Sequence, residues 1–336
     1  MRHQVTDGNR AQTVQQMQPR NAEANLSCPD CGSTHICRIS SIPDAFEFAG
    51  RMLDSPLPGG GLYRCNQCSL HWRYPQLGKA RLDALYRQGN IDSWQDNPEK
   101  RLDWQLVAAL IQKRKNTTSV LDVGCFDGRF LEYLGESYLR AGIEVHPLAA
   151  RCAAEKGIQI VGHDFSELDT LTAPFDAVVA LDVIEHVNNP RELMASLVKA
   201  TRPGGLIVVS TGNTDAWPWR LMGGMYWYCS IAEHLAFINP DWCTRTAAKM
   251  GLEIEQISTF SHEPTKTLES AIQASANIFY HYLPDLAYKI RCLDARVRGK
   301  ARRPSFKTPP HWRSAKDHFL VAFRVPASPS QANLSG

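Results

Sequence analysis

The feature that most restricts the fold is an alternation that begins at Ser119. From there, short apolar, β-branched runs take turns with segments of helical pattern. Val120–Val123, Ala141–Val145, Ile158–Val161, Phe175–Leu181 and Leu206–Val209 are expected strands. Gly128–Leu134, Leu148–Lys156 and Arg191–Ala200 are expected helices, the last closed by Pro203-Gly204-Gly205. Phe175–Leu181 (FDAVVAL) is an almost unbroken apolar run, as a strand covered on both faces requires. This rhythm implies a doubly wound parallel α/β sheet whose ligand lies beyond the carboxyl ends of the strands. Asn116–Thr118 sets the core off from Arg101–Lys115, an amphipathic helix expected to cover one sheet face.

The strand ends carry the chemistry. After the first strand comes Asp122-Val123-Gly124-Cys125-Phe126-Asp127-Gly128, which lacks the second glycine of a dinucleotide loop because Phe126 stands there. Gly124 and Gly128 let backbone approach a ligand, and the following helix points its positive end at the site. Glu144 ends the second strand, where an acid can hydrogen-bond ribose hydroxyls. Asp164-Phe165 ends the third, offering a carboxylate for an adenine amino group and a ring beside the base. Asp182 ends the fourth, followed by Glu185-His186. Four acidic strand ends with no lysine or arginine among them suit a cationic ligand and oppose a pyrophosphate.

VLDVGCFDGRF, GIEVH, GHDF, FDAVVALDVIEHV and TRPGGLIVVS, in this order over roughly residues 100–260, resemble the motifs of class I S-adenosylmethionine-dependent methyltransferases. The resemblance implies a Rossmann-like, seven-stranded methyltransferase sheet and S-adenosylmethionine as cofactor. It assigns the loop residues Asp122, Gly124, Cys125, Phe126 and Gly128 to the cofactor, with Asp122 and Gly124 along its methionine part. Glu144 is then assigned to the ribose, Asp164 and Phe165 to adenine, and Asp182 to the same site. Phe126 departs from the family's D-x-G-x-G-x-G, where glycine is usual.

Ahead of this core, Cys28-Pro29-Asp30-Cys31 and Cys65-Asn66-Gln67-Cys68 form two C-x2-C knuckles. Two residues between cysteines let both thiolates reach one ion, so the pair predicts a four-thiolate structural zinc site with no open position. Pro56-Leu57-Pro58-Gly59-Gly60-Gly61, between the knuckles, is expected to be the tip of an extended hairpin; His35, Cys37 and His71 lie near enough to be substitute ligands. The other six of the ten cysteines are scattered singly, and the first residues are polar with no apolar stretch. Reduced thiols in the cytoplasm are expected, and no run is apolar enough to span a membrane.

Methyl transfer to a hydroxyl needs a base, and His186 (in EHV) and His234 (in EHL) are the candidates. Trp217, Trp219, Tyr226 and Trp227 are expected to form a substrate wall. The knuckles, with YRCNQCSLHWRYP and Leu82–Tyr86, resemble the N-terminal zinc-binding module of bacterial sugar and polysaccharide-pathway methyltransferases. That resemblance implies O-methylation of a sugar, a glycan precursor or a related small molecule. Thr265–Arg298 is expected to be a helical insertion before a last core strand at His318–Val325, ending in the basic run Lys289, Arg291, Arg296, Arg298, Lys300, Arg302, Arg303 and Lys307. Such an insertion can meet an anionic acceptor or make a weak peripheral membrane contact, or it is a solvated basic face.

The expected organisation is a disordered leader (1–25), a zinc-binding module (26–76), a helical linker (77–118), the methyltransferase core (119–264), the insertion (265–310), a final strand (311–326) and a flexible tail (327–336). The alternative is an rRNA or tRNA methyltransferase that uses the knuckles and basic stretch on RNA. Against it, strand four ends ALDV rather than the N-P-P-Y type used on base amines, and the net charge of +3 names no partner, so no stable nucleic-acid partner is expected. A non-catalytic binding protein that retains the fold is a third possibility, and the loop disfavours a nicotinamide dehydrogenase.

Overall fold

The computed structural model describes residues 26–94, 101–261, 266–300, 307–312 and 314–327. The expected leader, most of the expected tail, and Arg302 and Arg303 of the basic run lie outside the described residues. In the N-terminal part the strands are β1 (Ile36–Ser41), β2 (Ala45–Phe48), β3 (Arg51–Leu57), β4 (Gly61–Cys65) and β5 (His71–Tyr74), followed by helices α1 (Lys79–Tyr86) and α2 (Leu102–Gln112). The core runs β6 (Ser119–Val123), α3 (Arg129–Leu134), β7 (Leu139–Ile143), α4 (Pro147–Glu155), β8 (Gln159–Gly162), β9 (Phe175–Leu181), α5 (Pro190–Ala200) and β10 (Thr201–Gly212). After it come α6 (Trp217–Met222), β11 (Ala236–Phe237), α7 (Pro240–Met250), β12 (Glu253–Phe260), α8 (Thr267–Tyr282), α9 (Pro284–Val297) and β13 (His318–Arg324).

The expected alternation becomes a seven-stranded sheet of order β12-β13-β10-β9-β6-β7-β8. β8, β7, β6, β9 and β10 are mutually parallel, while β13 runs antiparallel to both β10 and β12. β9 is buried along six of its seven residues, which is why its sequence shows no alternation. At the edge, β12 alternates exposed and half-buried residues, so only one of its faces is covered. Helices start where local chemistry caps them. Asn189 accepts from the Arg191 and Glu192 amides ahead of Pro190, and Asn239 from the Trp242 amide ahead of Pro240. Two apolar clusters fill the two sheet faces, one around Val178, Ile207 and Phe319, the other around Val179, Leu320 and Ile111 of α2.

The N-terminal part differs from expectation in two ways. Pro56–Gly61 is not a hairpin tip: the tight turn is at Ala49-Gly50, where both residues adopt positive φ, and β2 and β3 pair across it. β1, β4 and β5 form a separate antiparallel sheet whose fourth strand is β11, contributed from beyond the core, with Trp72 opposite Ala236. Trp72, Tyr63 and Cys65 pack in the same apolar cluster as Val178 and Phe319. The cysteine-bearing part is therefore built into the core rather than appended at residue 76.

One close approach fixes the loop after β6 against the sheet. A Cβ on Gly142 of β7 would stand 2.3 Å from the Cys125 sulfur and 2.9 Å from its Cβ. Gly142→Ala should cost about 1–3 kcal/mol through overpacking. Urea denaturation should show this as a lower midpoint with an unchanged slope.

Candidate functional site

The strand ends open into a cavity of about 1310 Å³ lined by Asp122, Gly124, Cys125, Phe126, Glu144, Asp164, Phe165, Asp182, His186, Trp227 and His234. Sequence-predicted positions from five separate segments thus share one space. Gly128 does not line it. A Cβ there would stand 2.1 Å from Ile158 Cδ1, so this glycine lets the start of α3 close on the core. Phe126 sits at φ +48°, the left-handed conformation that a glycine would favour. Its amide donates to Glu144 Oε2 at 2.9 Å, and the His146 amide donates to Oε1 at 2.7 Å. Asp182 is also left-handed, at φ +53°. Strained non-glycine backbone at two cavity-lining positions marks the place where this fold does something other than pack.

The acids are not free of cations, as their sequence context suggests. Arg101 reaches from the start of α2 to Asp182 Oδ2 at 2.6 Å while also binding Asp103, and Lys79 of α1 reaches Asp164 Oδ2 at 2.5 Å. Nothing near the strand ends announces these partners, because both come from the linker. Burial, with Glu144 nearby, pushes the Asp122 carboxyl well above the usual range, and burial raises Glu144 too. Burial also pushes Asp164 up, but the hydrogen bonds from Lys79 and Ser166 outweigh it and bring the carboxyl below its ordinary value.

Beside these acids lies a second group that the motifs indicate only in part. His186 and His234 meet edge to face, with ring centroids 4.9 Å apart. His234 Nδ1 is 3.0 Å from the Tyr228 carbonyl oxygen, which can only accept, so Nδ1 carries the proton and Nε2 holds the lone pair. His186 Nδ1 shares a hydrogen bond with the Tyr86 hydroxyl at 2.7 Å. Burial lowers His186, and burial with His186 close by lowers His234 well below the usual imidazole range. Glu185 takes hydrogen bonds from the Tyr228 hydroxyl and, at 2.9 Å, from Thr211 Oγ1. Burial and the neighbouring Asp182 push its carboxyl up to about 7. Glu185, His186 and His234 bring three possible ligand atoms within 4.8 Å of one another, but the carboxylate is already engaged by two hydroxyls.

The aromatic wall is smaller than its sequence suggests. Trp219 and Tyr226 are buried in a separate apolar cluster, and Trp217 is 60% exposed on the outside. Of the four expected residues Trp227 alone lines the cavity, joined by Tyr228 and Tyr86. A dense aromatic segment can serve core and site at once, and spacing does not separate the two.

The segment carrying Tyr228, Glu233 and His234 is held from behind by the N-terminal sheet. Arg73 of β5 is buried and donates through Nη2 to the Cys229 and Ile231 carbonyls, while its own amide donates to the Leu235 carbonyl at 2.9 Å. The Ala49 amide donates to Glu233 Oε1 at 2.7 Å. Farther along the same sheet, Cys28, Cys31, Cys65 and Cys68 place four sulfurs within 4.8 Å of one another. The sulfurs pair at 3.5 Å, Cys28 with Cys68 and Cys31 with Cys65. His35, Cys37 and His71 stand outside that group. None of the ten cysteines forms a disulfide.

Residues 94–257 match the family model described as a methyltransferase domain. Residues 94–257 thus form a methyltransferase domain. This methyltransferase is 28% identical over 194 residues to the ubiquinone biosynthesis O-methyltransferase of Thiobacillus denitrificans, covering 54% of this chain and 82% of the relative. It is also 28% identical over 228 residues to the protein of that name from Xylella fastidiosa strain M23, covering 60% and 92%. Among solved structures, the N-methyltransferase NodS of Bradyrhizobium japonicum bound to S-adenosylhomocysteine is similar at 17% identity and a TM-score of 0.46, over 74% of this chain and 97% of that one.

Glu185 gives the site a pH signature. Its folded value of about 7 lies above the ordinary 4.5, so between these pH values the folded methyltransferase binds more protons than the unfolded chain. Its contribution is fully present below the lower value and is lost as pH rises through the upper one. Thermal unfolding of the ligand-free protein from pH 5 to 7.5 should show that loss, and Glu185→Gln should flatten the profile. An unchanged profile in the variant contradicts the assignment.

Proposed function

We propose that the protein transfers a methyl group from S-adenosylmethionine to a hydroxyl oxygen of a small, ring-bearing acceptor. The observation that carries this reading is the pair of buried His234 and half-buried His186 in the same cavity as Asp122, Glu144, Asp164 and Asp182. The residues present fit the cofactor. Buried acids complement a sulfonium, the Glu144 carboxylate is placed for ribose hydroxyls, and Phe165 beside Asp164 is placed for adenine. When bound there, S-adenosylmethionine would supply the methyl group, its sulfonium becoming a neutral thioether. His234 Nε2 accepts the acceptor's hydroxyl proton as the new O–CH3 bond forms, since its other nitrogen is committed to the Tyr228 carbonyl. An imidazole kept neutral by burial stays competent well below pH 6.5.

A phenolic acceptor is the first to test. The similar proteins from Thiobacillus and Xylella are named ubiquinone biosynthesis O-methyltransferases. The sugar or glycan precursor suggested by the knuckles loses support, because three of the four aromatics expected to stack on it stand elsewhere. Calorimetry with S-adenosylhomocysteine should show binding that Glu144→Ala weakens strongly. His234→Ala should lower methylation of a catechol by about 10²–10⁴-fold while leaving that binding intact. Unchanged cofactor affinity in the first variant, or unchanged turnover in the second, overturns the corresponding role.

We also infer that Cys28, Cys31, Cys65 and Cys68 hold a structural zinc ion. Four sulfurs this close cannot all ionise without a cation between them, and a closed four-thiolate shell leaves no position for substrate. The purified protein should contain about one zinc per chain by elemental analysis. Removing it with a strong chelator, or replacing Cys28 by Ser, should lower the melting temperature and loosen the segment bearing His234. A metal-free protein of undiminished stability rules the ion out.

A further inference from the structure

The helical insertion is amphipathic in the wrong sense for a buried pair. α8 turns Gln273, Asn277 and the Tyr280 hydroxyl toward the protein, where Gln273 accepts from Ser314 and Tyr280 donates to the Lys307 carbonyl at 2.6 Å. α9 turns Ala287 and Ala295 inward, with Arg291 donating to the Thr308 carbonyl at 2.6 Å. The large apolar side chains point out. Leu286, Ile290, Leu293 and Val297 recur at helical spacing on α9 with exposures of 45, 50, 61 and 79%, and Ile272 and Tyr282 of α8 are 60 and 70% exposed. More than half of the large apolar side chains exposed among the described residues lie on this one hairpin. Single exposed leucines need no explanation, but a stripe about three turns long does.

The exposed cations Lys289, Arg296 and Lys300 flank the stripe, and Arg298 is paired with Asp294 at 2.7 Å. Long basic side chains beside an outward apolar stripe can lay their stems along hydrocarbon and leave their charges at headgroup level. A second copy of the chain is a poorer occupant, because two-fold pairing through this face brings the same cations against one another. An anionic lipid surface matches both the stripe and its flanks.

We propose that the α8–α9 hairpin docks this methyltransferase on the surface of an anionic lipid bilayer. Its helices lie in the interface, and none of the described helices is long and apolar enough to cross the bilayer. The docking hairpin also braces the cavity: the hydrogen bonds from Tyr280 and Arg291 fix the Lys307–Thr308 backbone, and His311, a few residues on, lines the cavity. The proposal is independent of the acceptor, since its readout is lipid binding and not turnover.

The test uses the full chain with vesicles of phosphatidylcholine and phosphatidylglycerol at 3:1, compared with phosphatidylcholine alone. The protein should sediment with the anionic vesicles, weakly with the neutral ones, and less as salt rises. Lys289→Glu/Arg296→Glu and, separately, Ile290→Ser/Leu293→Ser should each reduce binding about tenfold or more, with melting curves like that of the parent because all four side chains are exposed. Absence of binding to anionic vesicles, or binding that both double variants leave unchanged, overturns the proposal. So does a dimer in sedimentation equilibrium that Ile290→Ser/Leu293→Ser converts to a monomer.

Discussion

A single buried guanidinium ties the two halves of this protein together. Arg73 lies in the N-terminal sheet, yet its hydrogen bonds end on the carbonyls of Cys229 and Ile231, within the segment that carries Tyr228, Glu233 and His234 into the cavity. Burial pulls its pKa down from the usual arginine value to about 10, with Cys229 and Glu233 nearby opposing the shift. A cation this enclosed is tolerated because carbonyl dipoles take the place of water, and losing one partner leaves the other exposed to the full cost of desolvation. The β5–β11 pairing and the Ala49–Glu233 bond act in the same direction. The position of His234 in the cavity therefore depends on a sheet that the methyltransferase motifs do not include.

The cavity is an electrostatic compromise. Asp122, Glu144 and Glu185 are pushed up by burial, Asp164 is pulled down by Lys79, and Asp182 is met by Arg101. Acids that share a poorly hydrated space resist ionising together, and any cation entering it relieves that resistance. Two positive side chains from the linker do part of this without a ligand. Neither is positioned by the sheet, and both come from segments on the N-terminal side of the core.

Much of this was legible in the sequence, for identifiable reasons. Strands buried on both faces must be apolar throughout, so Phe175–Leu181 and its neighbours could be placed within a few residues. The acidic strand ends follow from that placement, since a parallel sheet delivers its carboxyl ends to one edge. What could not be read depends on contacts between distant segments. β11 is two residues long and has no periodicity to detect. Lys79 and Arg101 are ordinary surface residues until the fold brings them to Asp164 and Asp182. Trp219 and Trp227 look alike in sequence, and only the direction of the chain after α6 sends one to the core and the other to the cavity. Phe126 holds a left-handed backbone at the position where the sequence lacks the motif's glycine, a conformation that the residue type does not announce.

The four-stranded sheet also sets an order of events in the life of the chain. β5 emerges early in synthesis, but its partner β11 lies beyond most of the methyltransferase domain. Until Ala236 and Phe237 arrive, the β5 edge, with Trp72 in it, presents unpaired amides and carbonyls to whatever is near. Pairing across so long a stretch of chain is slow to form and raises the chance of association with another nascent chain. A metal held by the four cysteines would fix β4 beside β1 in the meantime, so that of this sheet only the β5 edge waits for its partner.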